Sequence, residues 1–345
     1  MTIHDRLEAF WSGEKPDRIP YTVYWWEWKN VQGDPAWRAM FDAGLGVTQH
    51  VATFAAETPG VEHVNESKMI DGVAVDRHTM RTPVGEIHAE WANGWCQKYW
   101  LRTADDYRVM TWIARHTQIR PNYDEYRKLE KEAPPYLVPL VFAGRTPMQS
   151  ILVDFVGLEN FALHLFDLED ALLELYDAMR RNVRLTGEIV AGGPGRFVAI
   201  LENFTAETLG PARYERFHLP VYDEVIAMMH QAGKIVGTHY DGKLSSCRDQ
   251  IARAPMDLIE SFTTPPEGDM SVGEARAAWP RKLLWANINV SCYGLPANEL
   301  RGVVRRMVEQ GAPDGRRLAF EVSEHMPVNW KESIPVVMDE LRRRR

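Results

Sequence analysis

The chain has 345 residues, of which 45% are hydrophobic and 26% charged, a composition typical of a globular protein that buries a large core. A net charge of −8 argues against a general nucleic-acid binder, and no apolar run reaches the roughly 20 residues that span a bilayer. The three cysteines, Cys96, Cys247 and Cys292, are too widely spaced for a disulfide framework or a paired-cysteine zinc knuckle. We therefore expect a cytoplasmic protein with neither a nucleic acid nor a membrane as partner.

The N-terminal segment shows helix and strand signals in turn. Thr2 precedes apolar residues at helical spacing, which predicts a capped first helix. Residues 19–26 are β-branched and aromatic and predict a first strand. A helix over residues 37–43 and a second strand over residues 46–54 follow.

The next segment has a different pattern. Residues 73–101 alternate apolar and polar side chains around a Thr-Pro-Val-Gly turn, which predicts antiparallel strands, and residues 103–132 are polar with a helical tendency. We therefore predict an antiparallel insertion over about residues 71–132, between the second and third strands of a single domain spanning residues 1–345.

Strands and helices then alternate regularly to the end of the chain. Six further strands are predicted at residues 136–142, 197–201, 235–242, 258–262, 283–288 and 317–322, each followed by a helix. The last helix has a capping pair, Asn329 and Glu332. Eight βα units predict an α/β protein with the (β/α)8 TIM-barrel fold.

In such a barrel the catalytic side chains stand at the C-terminal ends of the strands, here called the mouth. The polar residues at the predicted strand ends are Glu27, Arg145, Glu202, Asn203, His239, Asp241, Glu260, Asn287, Glu321, Glu324 and His325. Carboxylates crowded at one mouth repel one another unless a cation or a proton compensates them.

Three compensations remain open. A divalent metal, with zinc as the expected ion, is the first; its predicted ligands are His239, Asp241, Glu202, Glu321 and Glu324. Acid and base chemistry by His239 with a carboxylic acid is the second, and the predicted catalytic set is His239, Asp241, Glu202 and Glu260. In the third, the acids only hold the mouth together by bonding to Arg145 or to backbone amides.

The end of the first strand carries an aromatic cluster. Such clusters commonly belong to the core, but at a barrel mouth they can hold a flat apolar substrate. The predicted substrate-binding residues are Trp25, Trp26, Glu27, Trp28, Arg145, Asn203 and Asn287.

Several stretches resemble the uroporphyrinogen decarboxylase superfamily, which includes zinc-dependent methyltransferases that move methyl groups to or from corrinoid proteins. The stretches are residues 13–20 (Gly-Glu-Lys-Pro-Asp-Arg-Ile-Pro), 82–86, 157–160, 211–220, 239–242 (His-Tyr-Asp-Gly) and 259–276. The resemblance runs nearly end to end, and it implies a barrel, zinc, a corrinoid-carrying partner protein and a homodimer.

Two departures from the family pattern bear on activity. Porphyrinogen decarboxylases have an N-terminal stretch whose arginines bind substrate carboxylates, whereas residues 24–34 here contain no arginine. Thiol-activating methyltransferases have a cysteine where this chain has Asp241, and a second cysteine near the position of Ser323 and Glu324.

The leading hypothesis is a metal-dependent methyltransferase that moves a methyl group from a small methoxy or methylamine-type substrate to a corrinoid protein. The alternative is a metal-free decarboxylase acting on a less anionic, non-porphyrin substrate. A non-catalytic binding subunit is the third hypothesis.

Overall fold

The computed structural model describes residues 1–323 and 325–343, which divide into two compact units. The first unit comprises residues 1–53, 123–144 and 190–345, and the second comprises residues 54–122 and 145–189. Among the described residues, no helix is both long and apolar enough to cross a membrane.

The first unit contains a closed barrel of eight parallel strands, which confirms the predicted (β/α)8 fold. The barrel strands are β1 (Tyr21–Tyr24), β2 (Gly46–Ala52), β9 (Leu137–Phe142), β10 (Phe197–Ile200), β11 (Ile235–His239), β12 (Leu258–Phe262), β13 (Leu283–Ile288) and β14 (Leu318–Val322). They neighbour one another in chain order, and β1 pairs with β14 to close the barrel.

Helices follow these strands along the chain, as the alternation predicts. The α-helices are α1 (Ile3–Trp11), α2 (Trp25–Trp28), α3 (Ala36–Asp42), α4 (Ala104–His116), α5 (Asp124–Glu132), α6 (Pro147–Ser150), α7 (Leu158–Asp167), α8 (Glu169–Gly192), α9 (Ala206–Arg213), α10 (Leu219–Gln231), α11 (Arg248–Arg253), α12 (Val272–Ala278), α13 (Ala297–Gly311) and α14 (Trp330–Arg342). Two π-helical turns (Ile151–Val156, Tyr214–His218) and two 3₁₀ turns (Ser245–Cys247, Val290–Gly294) complete the set.

The second unit contains the antiparallel strands. They are β3 (Phe54–Glu57), β4 (Glu62–Ile70), β5 (Val73–Thr82), β6 (Gly85–Ala92), β7 (Trp95–Lys98) and β8 (Gln118–Pro121). Strand β3 pairs with β8, and β4 to β7 form one meander. Strand β4 thus begins before residue 71, the predicted start of the insertion. Its residues are mostly polar and lack the alternation that indicates β5 and β6, and its pairing with β5 is what makes it a strand.

Helix α1 closes the end of the barrel where the strands begin. Phe10 meets Trp285 edge to face, and Trp11 stacks on Phe197 with ring centroids 4.9 Å apart. These rings join the innermost strand residues in one buried cluster. Burial of such large aromatic side chains stabilises this end of the barrel and leaves the opposite end for polar residues.

Two helix caps were predicted, with different outcomes. Thr2 accepts a hydrogen bond from the backbone N of Asp5 and closes a full capping box on α1, as predicted. The predicted pair of Asn329 and Glu332 does not form, because the Asn329 side chain donates to the carbonyl of Tyr293 at 2.7 Å instead.

Candidate active site at the barrel mouth

Side chains on alternate strand positions point into the barrel, and this inward set changes character along the strands. Near the strand starts it is apolar, with Leu258, Trp285 and Ala319 in the buried cluster. Two residues further along the same strands come Glu260, Asn287 and Glu321, all buried. The polar site is therefore a continuation of the inward face of the core.

The centre of the site is a line of four titratable side chains. His50 Nε2 lies 3.2 Å from Glu260 Oε1, and Glu260 Oε2 lies 3.6 Å from His239 Nδ1. On the other side of the imidazole, His239 Nε2 lies 3.7 Å from Asp241 Oδ2, which accepts a hydrogen bond from Asn203 at 3.1 Å. The imidazole of His239 thus stands between two carboxylates.

Burial along this line decreases toward the mouth. The side chains of Glu260, His239 and Asp241 are 0%, 4% and 26% exposed, respectively. Asp241 is thus the member that reaches solvent, whereas Glu260 is enclosed. This order allows a proton to enter at Asp241 and reach His239 without passing the buried carboxylate.

Both carboxylates are held in the ionised form. Burial by itself raises the pKa of Glu260, but the imidazoles of His50 and His239 beside it outweigh burial electrostatically and lower the pKa below the ordinary value. For Asp241, burial is likewise outweighed by His239 and Asn203, so its pKa is also lowered.

An aromatic stack borders the line. The ring of Trp26 lies 4.1 Å from that of Tyr24 and 5.8 Å from that of His50, nearly parallel to both. Tyr24 donates to Glu321 Oε1 at 2.7 Å. The stack therefore orients His50, and Trp26, its partly exposed member, presents a flat apolar surface beside the histidines.

Glu202 is oriented by a chain of buried phenols. The Tyr222 hydroxyl donates to Glu202 Oε1 at 2.7 Å. The hydroxyl oxygen of Tyr240 lies 2.9 Å from that of Tyr222 and 3.0 Å from that of Tyr214. Burial raises the pKa of all three phenols, so they remain neutral. Because each hydroxyl has one proton, the chain donates in one direction toward the carboxylate.

Asn287 fixes an irregularity in β12 beside Glu260. Its Nδ2 donates to Ser261 Oγ at 2.8 Å and to Thr263 Oγ1 at 2.9 Å. Ser261 has a φ of 57°, and the pairing of β12 with β13 shifts register between Ile259 and Phe262. Such bulges commonly re-aim a side chain next to an active site.

The other predicted substrate-binding residues lie in varied surroundings. Glu27 accepts from the backbone N of Met326 at 2.8 Å. Lys29 Nζ lies 4.8 Å from the ring centre of Trp25, and Trp28 packs edge-on against Phe41 and Tyr136. Arg145 belongs to the second unit, where its Nη1 donates to Asp154 at 3.1 Å.

The predicted metal set is only partly brought together. His239 and Asp241 are adjacent, Glu202 and Glu321 accept from tyrosines, and Glu324 lies outside the described residues. Within residues 1–323 and 325–343, no three His, Cys, Asp or Glu side chains are arranged to hold a metal ion, whereas catalytic zinc uses three protein ligands. The described residues therefore do not complete a zinc site, and zinc binding stays a prediction.

The sequence analysis missed His50, as well as Tyr24 and the buried phenols that bond to Glu321 and Glu202. The second strand was predicted to run to residue 54, which placed its end beyond His50, whereas β2 ends at Ala52. Gly46 and Thr48 share the inward parity of His50, so counting in steps of two along this strand would have found it.

Comparison with known proteins gives a structural likeness and no sequence family. No family model and no curated protein matches the chain. A methyltransferase from Methanosarcina mazei superimposes with a TM-score of 0.58 over 99% of both chains at 12% identity. Two structures of the pneumococcal exo-beta-D-N-acetylglucosaminidase StrH follow with TM-scores of 0.40 and 0.39, at 8% and 9% identity and over 86% and 85% of those chains. The first likeness establishes a shared fold.

Proposed function

We propose that this protein is a methyltransferase that removes a methyl group from oxygen or nitrogen of a small substrate, with His239 as the proton donor. The observation that carries the proposal is the position of His239 between Glu260 and Asp241 at the barrel mouth. A protonated imidazole between two ionised carboxylates is a compensated proton donor, and one of its carboxylates reaches solvent.

Breaking a C–O or C–N bond to a methyl group needs both an acceptor and a proton. The methyl group passes to a nucleophilic acceptor, which the family resemblance suggests is a corrinoid on a partner protein, while the bonding electron pair stays on the substrate oxygen or nitrogen. His239 Nε2 gives that atom a proton, so the product leaves as a neutral alcohol or amine. Asp241 then returns a proton from solvent to the imidazole.

The substrate surface is the ring of Trp26, which is partly exposed, whereas the Tyr24 ring on which it stacks is fully buried. The Trp26 ring lies beside His50 and offers a flat apolar face. We propose that the flat or methylated part of the substrate packs there, which positions its heteroatom toward His239. The fold shared with a methyltransferase is consistent with this reaction class.

A decarboxylase is the second candidate, because the same buried proton donor could protonate the carbanion left after loss of carbon dioxide. One observation favours it specifically: His50 Nδ1 has no hydrogen-bond partner among the described residues, so a donor remains to orient a substrate carboxylate. The two reactions release different products, so one panel separates them.

The test is a panel of aryl methyl ethers, methylamines and carboxylic acids, incubated with the purified protein and cob(I)alamin. Methylcobalamin formation is followed by absorbance, and carbon dioxide release is followed in parallel. We expect methyl transfer from at least one ether or amine, and we expect His239→Gln to lower kcat by about 10²- to 10⁴-fold because the proton donor is lost.

His4→Gln is the matched control, because His4 is an exposed histidine on α1. It should leave the rate unchanged. Carbon dioxide release without methyl transfer would replace the proposal by the decarboxylase. An unchanged kcat in His239→Gln would remove His239 from the mechanism in either case.

A further inference from the structure

A cavity in the first unit lies away from the mouth. It has a volume of about 810 Å³, within the range of sites that hold drug-sized ligands. Its wall includes Leu45 and Tyr136, which immediately precede β2 and β9, and Arg18, which lies shortly before β1. The cavity therefore opens where these strands begin, whereas the candidate active site lies where the strands end. We call it the side cavity.

One wall of the side cavity is aromatic. The rings of Phe41 and Tyr136 stack with centroids 3.8 Å apart, and Trp28 meets both edge-on at 5.9 and 5.8 Å. Trp37 extends the wall, lying nearly parallel to Phe41. Such a wall offers faces and edges to a flat ring.

A buried donor in this wall has no partner. Trp28 is 8% exposed, and its Nε1 makes no hydrogen bond to any described residue. A buried N–H without an acceptor is unfavourable, so an acceptor on a bound molecule would recover that free energy. By contrast, the Nε1 of Trp37 donates to the carbonyl of Val31.

One cation at the rim is open to an anion. Three arginines and two aspartates line the cavity, but Arg6 is engaged by Asp17, and Asp42 lies one helical turn from Arg38 on α3. Asp34 is engaged by Lys331 and by the backbone N of Ala36. Arg38 is exposed on α3, and no described carboxylate lies within ion-pair distance of it. Its guanidinium is thus available for a carboxylate or a similar anion, which it can bind through two parallel hydrogen bonds.

We propose that the side cavity binds a planar aromatic molecule that carries an anionic group. The ring packs against Phe41 and Tyr136, an acceptor of the molecule receives the Trp28 N–H, and Arg38 pairs with the anionic group. This site is separate from the methyl-transfer chemistry proposed for the mouth and does not depend on it.

The test uses two probes that share one ring system and differ in charge, 2-naphthoate and 2-naphthylmethylammonium. Binding to the full chain is measured by titration calorimetry. We expect 2-naphthoate to bind at least about tenfold more tightly, and Arg38→Gln to remove most of that preference, because the charge-assisted pair is lost. Trp28→Phe should weaken 2-naphthoate about threefold to tenfold, as expected for one hydrogen bond.

Arg248→Gln is the matched control, because Arg248 is exposed on α11 and pairs only with its neighbour Asp249 among the described residues. It should leave both affinities unchanged. Melting temperatures show whether each variant is folded. Equal affinity for the two probes, absence of saturable binding, or a naphthoate affinity unaffected by both Arg38→Gln and Trp28→Phe would overturn the proposal.

Discussion

At the scale of single residues, the charge state of the mouth depends on the side chains that surround Glu260. Glu260 is enclosed, and its carboxylate is flanked by His50 and His239. An ionised carboxylate at such a position is strongly unfavourable without positive or donor groups around it. His50 therefore has a positioning role, since it holds one oxygen of Glu260 while the other faces His239.

Replacing His50 tests this role. We expect His50→Ala to lower kcat about 10- to 100-fold with little change in KM, because the imidazole that lies 3.2 Å from one oxygen of Glu260 and orients it is removed. His50→Gln, which keeps a side-chain donor, should recover most of the rate. Imidazole ¹⁵N spectra of His239 supply a readout that does not need substrate: the shifts should change in His50→Ala and stay close to the parent in His50→Gln. Identical spectra in all three proteins would show that Glu260 is held without His50.

At the scale of elements, the packing of strand β11 depends on Gly237, which lies two residues before His239 on the inward face of the strand. A methyl group at Gly237 would lie 2.8 Å from Cζ of Phe197 and 2.9 Å from Cδ2 of Leu258. Real contacts of this kind are longer, so the ring and the leucine occupy the space that a side chain would need. Glycine at this position lets three neighbouring strands pack closely beneath the histidine.

Gly237→Ala should therefore lower the free energy of unfolding by about 1–3 kcal/mol, the usual cost of overpacking a core. Gly294→Ala is the matched control, because no atom lies within 4 Å of the added methyl group. Urea denaturation of both variants measures the difference. Equal stability of the two would mean that the barrel interior relaxes around the methyl group without cost.

At the scale of the whole molecule, one buried histidine couples stability to pH. His218 is fully buried beside Tyr214, Tyr222 and Phe204, and neither of its ring nitrogens has a hydrogen-bond partner among the described residues. Burial lowers its pKa from 6.5 to about 3. Below pH 6.5 the unfolded chain binds a proton that the folded chain does not, so stability falls as the pH falls from 6.5 toward 3.

His218→Phe removes this contribution. Below about pH 6 the parent should lose up to roughly 1.4 kcal/mol of unfolding free energy per pH unit more than the variant, the value for one proton. Urea denaturation at pH 7.5, 6.5, 5.5 and 5.0 measures both slopes, with His4→Gln as the exposed-histidine control. The two slopes would coincide if the folded protein protonated His218 in place.

The barrel was predictable because its signals are local. Apolar runs bounded by turns mark each strand, and β12 and β13 match their predicted bounds to the residue. His239 ends β11 and Asp241 lies two residues beyond it, as the same count predicts, whereas Glu260 is the middle residue of β12. Boundaries without a local signal differ from the prediction, as the polar strand β4 and the end of β2 show, because pairing partners rather than composition decide them.

The sequence by itself determined the fold and the chemical character of the mouth, since strand periodicity and strand ends are properties of short segments. Only the tertiary structure decided which groups meet there. His50 and Glu260 lie on strands that are not neighbours in the barrel and meet across its interior, and Tyr222 reaches Glu202 from helix α10. Such contacts depend on barrel closure and on side-chain rotamers, which no short segment specifies. The side cavity arises in the same way, from residues brought together by the start of three strands.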